Sequence, residues 1–442
     1  MLRSVFLCAV VALPAATFGA ASESVLFSFP GVGIFAGGAN PESGLVKDAA
    51  GNLYGTTSAG GAFACNCGVV YMISPPASGS GVWSETILHT FQGYPGDGGV
   101  PLANLTLDSA GNLYGTTLIG GAAQAGTVFE LSPPAPGQTL WSESILYEFS
   151  GAEGDGQFPY SSLLVDAAGN LYGSSFLGGS SNQGMAFELL APTGGATGWS
   201  LRPLHSFAGG TDGANPISGL TVDSHGDLYG TTFTDGVSGI TGGTVYELVP
   251  GGGVFTESVL HTFIGATPGG AIDGALPYGN LVLDAQGDIF GTTLAGGGGQ
   301  IIPGELSNAG AVFELSPPSG GGSAWHETLI HSFNGDTGEP ATTDGESPYG
   351  GLIFDALGNL YGTTAQGGTN DYGTAFRLSP PAAGSTTWTQ SVLHNFQGYP
   401  DGVGPYGSLL LGASGQLYGI TRNGTALSVI AAQVGTVFEI RP

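Results

Sequence analysis

Positive charge is what this chain has least of. Its 442 residues hold six Lys and Arg against 33 Asp and Glu, for a net charge of −27, and Lys47 is the only lysine. So few cations cannot neutralise a run of phosphates, which argues against nucleic-acid binding. Anionic lipid surfaces are disfavoured for the same reason. Long apolar runs are missing as well. The run Val5 to Leu13, interrupted by Pro14, is far short of the roughly 20 residues a spanning helix needs, so no membrane span is expected. Arg3 ahead of that run and the small residues Gly19-Ala20-Ala21 behind it read as a cleavable export signal over residues 1–21. Cysteine is scarce too. Cys8 lies inside the apolar run, and only Cys65 and Cys67 remain after cleavage. Export to an oxidising compartment makes a bond between them possible, across a single spacer residue. With no histidine near them in sequence, they are a poor metal site.

Glycine and proline are abundant, with 83 and 27 residues. That composition would suggest disorder in a chain without a period. Here there is a period. The stretch Gly-Asn-Leu-Tyr-Gly-Thr-Thr, as at Gly111–Thr117, returns complete or nearly so with its first glycine at Gly51, Gly111, Gly169, Gly226, Gly287, Gly358 and Gly415. Self-similarity at near-constant spacing marks a repeat architecture, overriding the domain count that length alone suggests.

Each repeat reads as four strands, taken here from the second copy. Asn104 to Asp108 is a short strand A, and Asp108 to Asn112 a turn. Leu113 to Thr117 is strand B. Gly126 to Leu131 is strand C, stopped by Ser132-Pro133-Pro134 because proline has no ladder donor. Trp141 to Phe149 is strand D, with alternating apolar positions. Strand A repeats a leucine (Leu45, Leu105, Leu163, Leu220, Leu281, Leu352, Leu409). Strand C repeats an aromatic ring (Tyr71, Phe129, Phe187, Tyr246, Phe313, Phe376, Phe438). Packing between neighbouring sheets explains both sets.

Seven four-stranded antiparallel units predict an all-β, seven-bladed β-propeller filling residues 22–442 as one domain. The chain ends carry the closure. Glu23 to Phe29 matches a strand D, whereas the last unit stops after strand C at Gly435–Ile440. The N-terminal strand should therefore complete the last blade and leave no open edge.

Gly-Asn-Leu-Tyr-Gly-Thr-Thr, together with Leu88-His89-Thr90-Phe91 and Asp97-Gly98-x-x-Pro101, resembles the repeat of the bacterial choice-of-anchor tandem-repeat proteins called GloVer-containing. The resemblance spans nearly the whole exported chain. It implies a surface or secreted bacterial propeller and carries no biochemical activity. Members often end in a sorting anchor. This chain ends at Arg441-Pro442 without an apolar tail, so release is the expectation.

Two sets of residues invite a chemical reading. His89, His205, His261, His331 and His394 share one place in strand D, held by Phe27 and Tyr147 in the other copies. Tolerance of Phe suggests packing plus one hydrogen bond. Asp97, Asp155, Asp212, Asp273, Asp344 and Asp401 each open an Asp-Gly-x-x-Pro segment, with Gly37 in the first copy. These segments and the B–C loops should share one face, the top. Each Asp either caps its own turn or joins an acidic, Ca²⁺-binding channel mouth. A second set, Asp48, Asp108, Asp166, Asp223, Asp284 and Asp355, lies in A–B turns and is explained by turn formation.

Departures from symmetry supply the remaining candidates, because a single site is assembled once. The long loops Leu294–Asn308, Asn334–Pro348 and Arg422–Val434 all belong to the top face, and they single out Glu305, Glu346 and Arg422 as ligand candidates. There is no Ser–His–acid arrangement, histidine-rich metal motif or phosphate-cradling glycine loop. The preferred expectation is a secreted, monomeric binding or scaffold module whose ligand is an extracellular carbohydrate or protein. A secreted enzyme acting on a polysaccharide or lactone, possible with calcium, is the runner-up. A structural surface or matrix protein is the third.

Overall fold

The computed structural model describes residues 21–30, 37–61, 65–77, 81–194, 198–236, 242–264, 273–297, 309–318, 324–334, 344–424 and 435–442. Residues 1–20 of the expected export signal, Cys8 and Glu305 therefore lie outside the described residues. Seven antiparallel sheets follow one another, each ordered A-B-C-D. In the second blade these strands are Thr106–Leu107, Leu113–Thr117, Thr127–Ser132 and Ser142–Glu148. The chain is a seven-bladed β-propeller. Its last sheet combines Leu410–Leu411, Leu417–Thr421 and Thr436–Arg441 with Ser22–Ser28 from the other end. Ser22 pairs with Arg441 and Ser28 with Thr436, so the ring closes as the repeat predicts.

The repeated heptapeptide solves three local problems. In the turn before it, Asp166 Oδ1 accepts the backbone N–H groups of Ala168 and Asn170, both at 2.8 Å. Its Oδ2 accepts from the Asn170 amide and the Tyr172 hydroxyl, at 2.9 and 3.2 Å. The glycine ahead of Asn170 sits at φ +86°, which glycine adopts without steric cost. The glycine after the tyrosine makes room for the strand-C ring: a Cβ at Gly115 would stand 2.6 Å from Phe129 Cζ. The two threonines then tie strands and blades together. Thr117 shares a 2.8 Å hydrogen bond with Thr127 in strand C, and Thr116 donates to Ser161 O of the next blade at 3.1 Å.

Burial opposes ionisation of Asp48, Asp166 and Asp355, but these hydrogen bonds win and hold the carboxyls below the usual 3.8. Replacing Asp166 by Ala leaves two N–H groups and an amide to find water, while the Tyr172 hydroxyl keeps Glu188 Oε1 at 2.8 Å. We expect a loss of about 1–3 kcal/mol, read as a fall in Tm of a few degrees.

The core is not one central mass but a cluster at each blade junction. Each cluster contains the same aromatic pair. The phenylalanine just after strand D meets the strand-C ring of the next blade at 4.9 Å (Phe29–Tyr71) to 5.3 Å (Phe149–Phe187), edge-on in every blade but that of Phe207–Tyr246, which is tilted. Strand D carries a bulge in all seven blades, immediately before the histidine position. The extra residue lets a leucine face the core while the histidine turns toward the top-face loop.

Candidate functional site

The central channel begins at the residue after each top-face proline, and these residues differ from blade to blade. They are Glu42, Leu102, Tyr160, Ile217, Tyr278, Tyr349 and Tyr406. The backbone aims them. The residue before each proline adopts a left-handed conformation, even where it is Val100 (φ 58°), Phe158 (58°) or Leu276 (58°). Such φ values are uncommon for bulky side chains and need support from their surroundings. Here the support is a backbone hydrogen bond to the B–C loop of the previous blade, as from Val100 N to Cys67 O at 2.8 Å.

Four tyrosines line the mouth, with the rings of three in contact. Tyr349 and Tyr406 stack at 4.5 Å, and Tyr278 meets Tyr349 edge-on at 5.1 Å. Tyr160 leans on Phe176 at 5.8 Å. Arg422, singled out for its loop, closes the set: its guanidinium lies 5.2 Å over the Tyr406 ring and Nε donates to Glu42 Oε1 at 3.1 Å. Ser58 donates to the same oxygen at 2.9 Å. Burial, then Tyr160 and Glu42, push the Tyr278 hydroxyl well above its usual range, so it is protonated at neutral pH and can donate.

Beneath the mouth the channel is pinched. Asn280 donates to Ser162 on a non-adjacent blade at 2.9 Å and accepts from Gly219 N at 2.7 Å. A Cβ at Gly279 would lie 2.7 Å from Gly351 Cα, so the inner strands nearly touch there. The mouth is consequently a shallow cup of about 70 Å³ with aromatic walls, one ion pair and a polar floor.

The six aspartates stand outside this cup, each with its own loop. Asp97 accepts from Gln92 N and Gly98 N, both at 2.6 Å, and Asp155 from Ser150 N at 2.8 Å. The histidine set completes them: His205 meets Asp212 at 2.8 Å, His261 meets Asp273 at 3.0 Å, His331 meets Asp344 at 3.0 Å and His394 meets Asp401 at 3.0 Å. Tyr147 plays the same part for Asp155, at 3.2 Å. Among the described residues, no group of three or more potential ligand side chains unites two of the six aspartates.

A third residue type joins these pairs, and it comes from the neighbouring blade. Glu143, Glu257 and Glu23 approach His89–Asp97, His205–Asp212 and His394–Asp401 respectively. Burial pushes the Glu23 and Glu143 carboxyls up to about 7. The aspartate beside each adds to that effect and the histidine opposes it. Their signal was present in the sequence, four residues before the histidine position of strand D. The partner is the histidine of the preceding blade, which the linear spacing hides.

Glu346 bridges to Gln366 through backbone hydrogen bonds at the top face, away from the cup lining. Cys65 and Cys67 are joined by a disulfide bond. On the opposite face, a cleft of about 890 Å³ between the fifth and sixth blades is lined by Asp284, Asp288, Glu314, Phe354 and Trp388, among others.

Fold and site together define a closed repeat propeller with an asymmetric aromatic mouth on one face. The Gloeobacter/Verrucomicrobia repeat matches residues 15–199 and 134–343, and the chain belongs to that family. No curated protein matches it. Among solved structures, the extracellular domain of a provisionally assigned one-component system from B. thetaiotaomicron is similar at 12% identity and a TM-score of 0.49. That alignment covers 94% of this chain and 41% of the other, so the chain spans less than half of that protein. A provisionally assigned 6-phosphogluconolactonase from Bacteroides uniformis is similar at 12% identity and 0.46, covering 83% and 90%. A glucose dehydrogenase follows at 15% and 0.41, covering 95% and 99%. Likeness at this level assigns no activity.

Proposed function

We propose that the protein is a secreted binding module that holds a neutral glycan at the top-face cup. The observation that supports this is the cup itself, where four tyrosines stand beside a Glu42–Arg422 pair. Sugar rings present apolar C–H faces and hydroxyl edges together. Aromatic walls take the faces, and a carboxylate, a guanidinium and amide groups take the edges. A cup of about 70 Å³ is too small to enclose a sugar ring, so it offers the end of a chain an aromatic surface to rest on. The net charge of −27 disfavours polyanionic ligands. The reading of residues 1–21 as an export signal supports a role outside the cell.

Affinity electrophoresis of the exported chain in gels containing laminarin, xylan, galactomannan or polygalacturonate tests the reading. Retardation by at least one neutral polysaccharide, and none by polygalacturonate, is expected. Replacing Tyr160 or Tyr349 by Ala should weaken binding by about tenfold each, the equivalent of ~1.4 kcal/mol. Unretarded migration in every gel would refute the proposal.

A further inference from the structure

One blade junction holds an arrangement that neither turn formation nor packing uses up. At the junction of the first and second blades, His89 Nε2 lies 3.4 Å from Asp97 Oδ2 and 3.7 Å from Glu143 Oε1. Both distances are long for a charge-assisted hydrogen bond, which runs at about 2.7–2.9 Å. They are close to the separation of about 3.4 Å between donors that surround one tetrahedral ion at about 2.0–2.1 Å. His89 Nε2 and Glu143 Oε1 are both shut off from solvent, and neither has a hydrogen-bond partner. An imidazole nitrogen and a carboxylate oxygen so placed lack something positive between them. Asp97 is already anchored by two backbone N–H groups, which leaves it oriented toward the gap.

The same residue types meet at two other junctions, but there the histidine is already hydrogen-bonded: His205 Nε2 meets Asp212 at 2.8 Å and His394 Nε2 meets Asp401 at 3.0 Å. His205, Asp212 and Glu257 bring their ligand atoms within 4.8 Å of one another, as do His394, Asp401 and Glu23. Glu257 Oε1 and Glu23 Oε1 are again buried and unpartnered. Where Tyr147 replaces the histidine, the neighbouring blade offers Leu201 instead of the glutamate.

We propose that the His89–Asp97–Glu143 junction is a zinc-type divalent metal site. There one imidazole Nε2 and two carboxylates bind the ion, and water takes the position left open. One blade supplies His and Asp, and the next supplies Glu, so the ion links consecutive blades. Mixed nitrogen and oxygen donors, three in number, suit Zn²⁺ or Co²⁺. Ca²⁺ requires six to eight oxygens, more than a trio supplies.

The test is a titration of chelator-treated full-length exported protein with CoCl₂ and, separately, ZnCl₂, followed by visible absorption and calorimetry. About one ion per chain should bind, and Co²⁺ should show the intense absorption of a low-coordinate site. Glu143→Gln, which preserves shape, should abolish that binding, and Glu257→Gln should leave it unchanged. His225→Ala should leave the count unchanged, since His225 belongs to an exposed turn with Asp223 and Asp227. The proposal is overturned by Zn²⁺ and Co²⁺ binding no tighter than millimolar. It is equally overturned by a count that falls only with His225→Ala, or by a response to CaCl₂ in place of Zn²⁺. Glycan retardation is read separately, so failure here leaves the cup reading untouched.

Discussion

Removing residues 22–30 should collapse the melting temperature of the chain spanning residues 22–442. The segment supplies the outer strand of the last blade, pairing from Ser22–Arg441 to Ser28–Thr436. It also supplies Phe29, buried to 1% exposure and set edge-on against Tyr71 of the first blade. Loss of Phe29 alone is expected to cost about 3–5 kcal/mol, the usual range for a buried phenylalanine cut to Ala. Deleting the whole strand adds an open edge on Thr436–Arg441 and uncovers the junction with the first blade. Total stabilities are about 5–15 kcal/mol, so the truncated chain should be unfolded or molten at room temperature. Phe29→Ala should give an intermediate Tm. Calorimetry of the three proteins checks this, and equal melting temperatures would show that the ends do not close the ring.

Stability should also fall on the alkaline side, and Glu85 is the cleanest probe. It occupies the same strand-D position as Glu143, but it faces the junction where Phe27 and Gly37 replace histidine and aspartate. Its Oε1 is buried without a partner. Burial pushes its carboxyl from 4.5 up to about 7, against a hydrogen bond from the Gly38 backbone that works the other way. A folded pKa above the unfolded value means the contribution is fully present below about 4.5 and disappears as pH rises through 7. Asp48, Asp166 and Asp355 act with the opposite sign. Their folded values lie below 3.8, so their contribution is present above that pH and lost as the solution becomes more acidic. Tm should therefore peak near pH 5. Glu85→Gln should stabilise the protein at pH 8.5 by about 1–2 kcal/mol, after discounting for the part of the side chain that water screens. At pH 5 the change should be near zero. A variant with the same pH profile as the parent would show that Glu85 ionises freely.

The fold was legible because its signals are local and repeated. Asp166, Asn170 and Tyr172 lie within one turn and strand, and their hydrogen bonds answer to their spacing. The unmatched Glu23–Phe29 and Gly435–Ile440 announced the closure. The site was harder to read, for two physical reasons. First, its partners belong to different blades: Glu143 meets His89 across more than fifty residues, and Arg422 meets Glu42 across almost the whole chain. Second, aligning repeats draws the eye to identities such as the six aspartates. The position after each proline matters here because it varies, as Glu42, Leu102, Tyr160, Ile217, Tyr278, Tyr349 and Tyr406. Arg422 came from its loop's length; it lies over Tyr406 and pairs with Glu42, both of the cup lining. Glu346 came from the same reasoning but lies outside the cup lining.

The most direct test compares the two faces of one molecule. Binding of the retarding polysaccharide should be measured for the parent chain, for a Tyr160→Ala, Tyr349→Ala double variant of the cup, and for Trp388→Ala in the cleft opposite. The cup variant should lose binding by about a hundredfold, the sum of two rings, while Trp388→Ala binds as the parent does. Loss with Trp388→Ala and full binding by the cup variant would contradict the account and move the site to the other face.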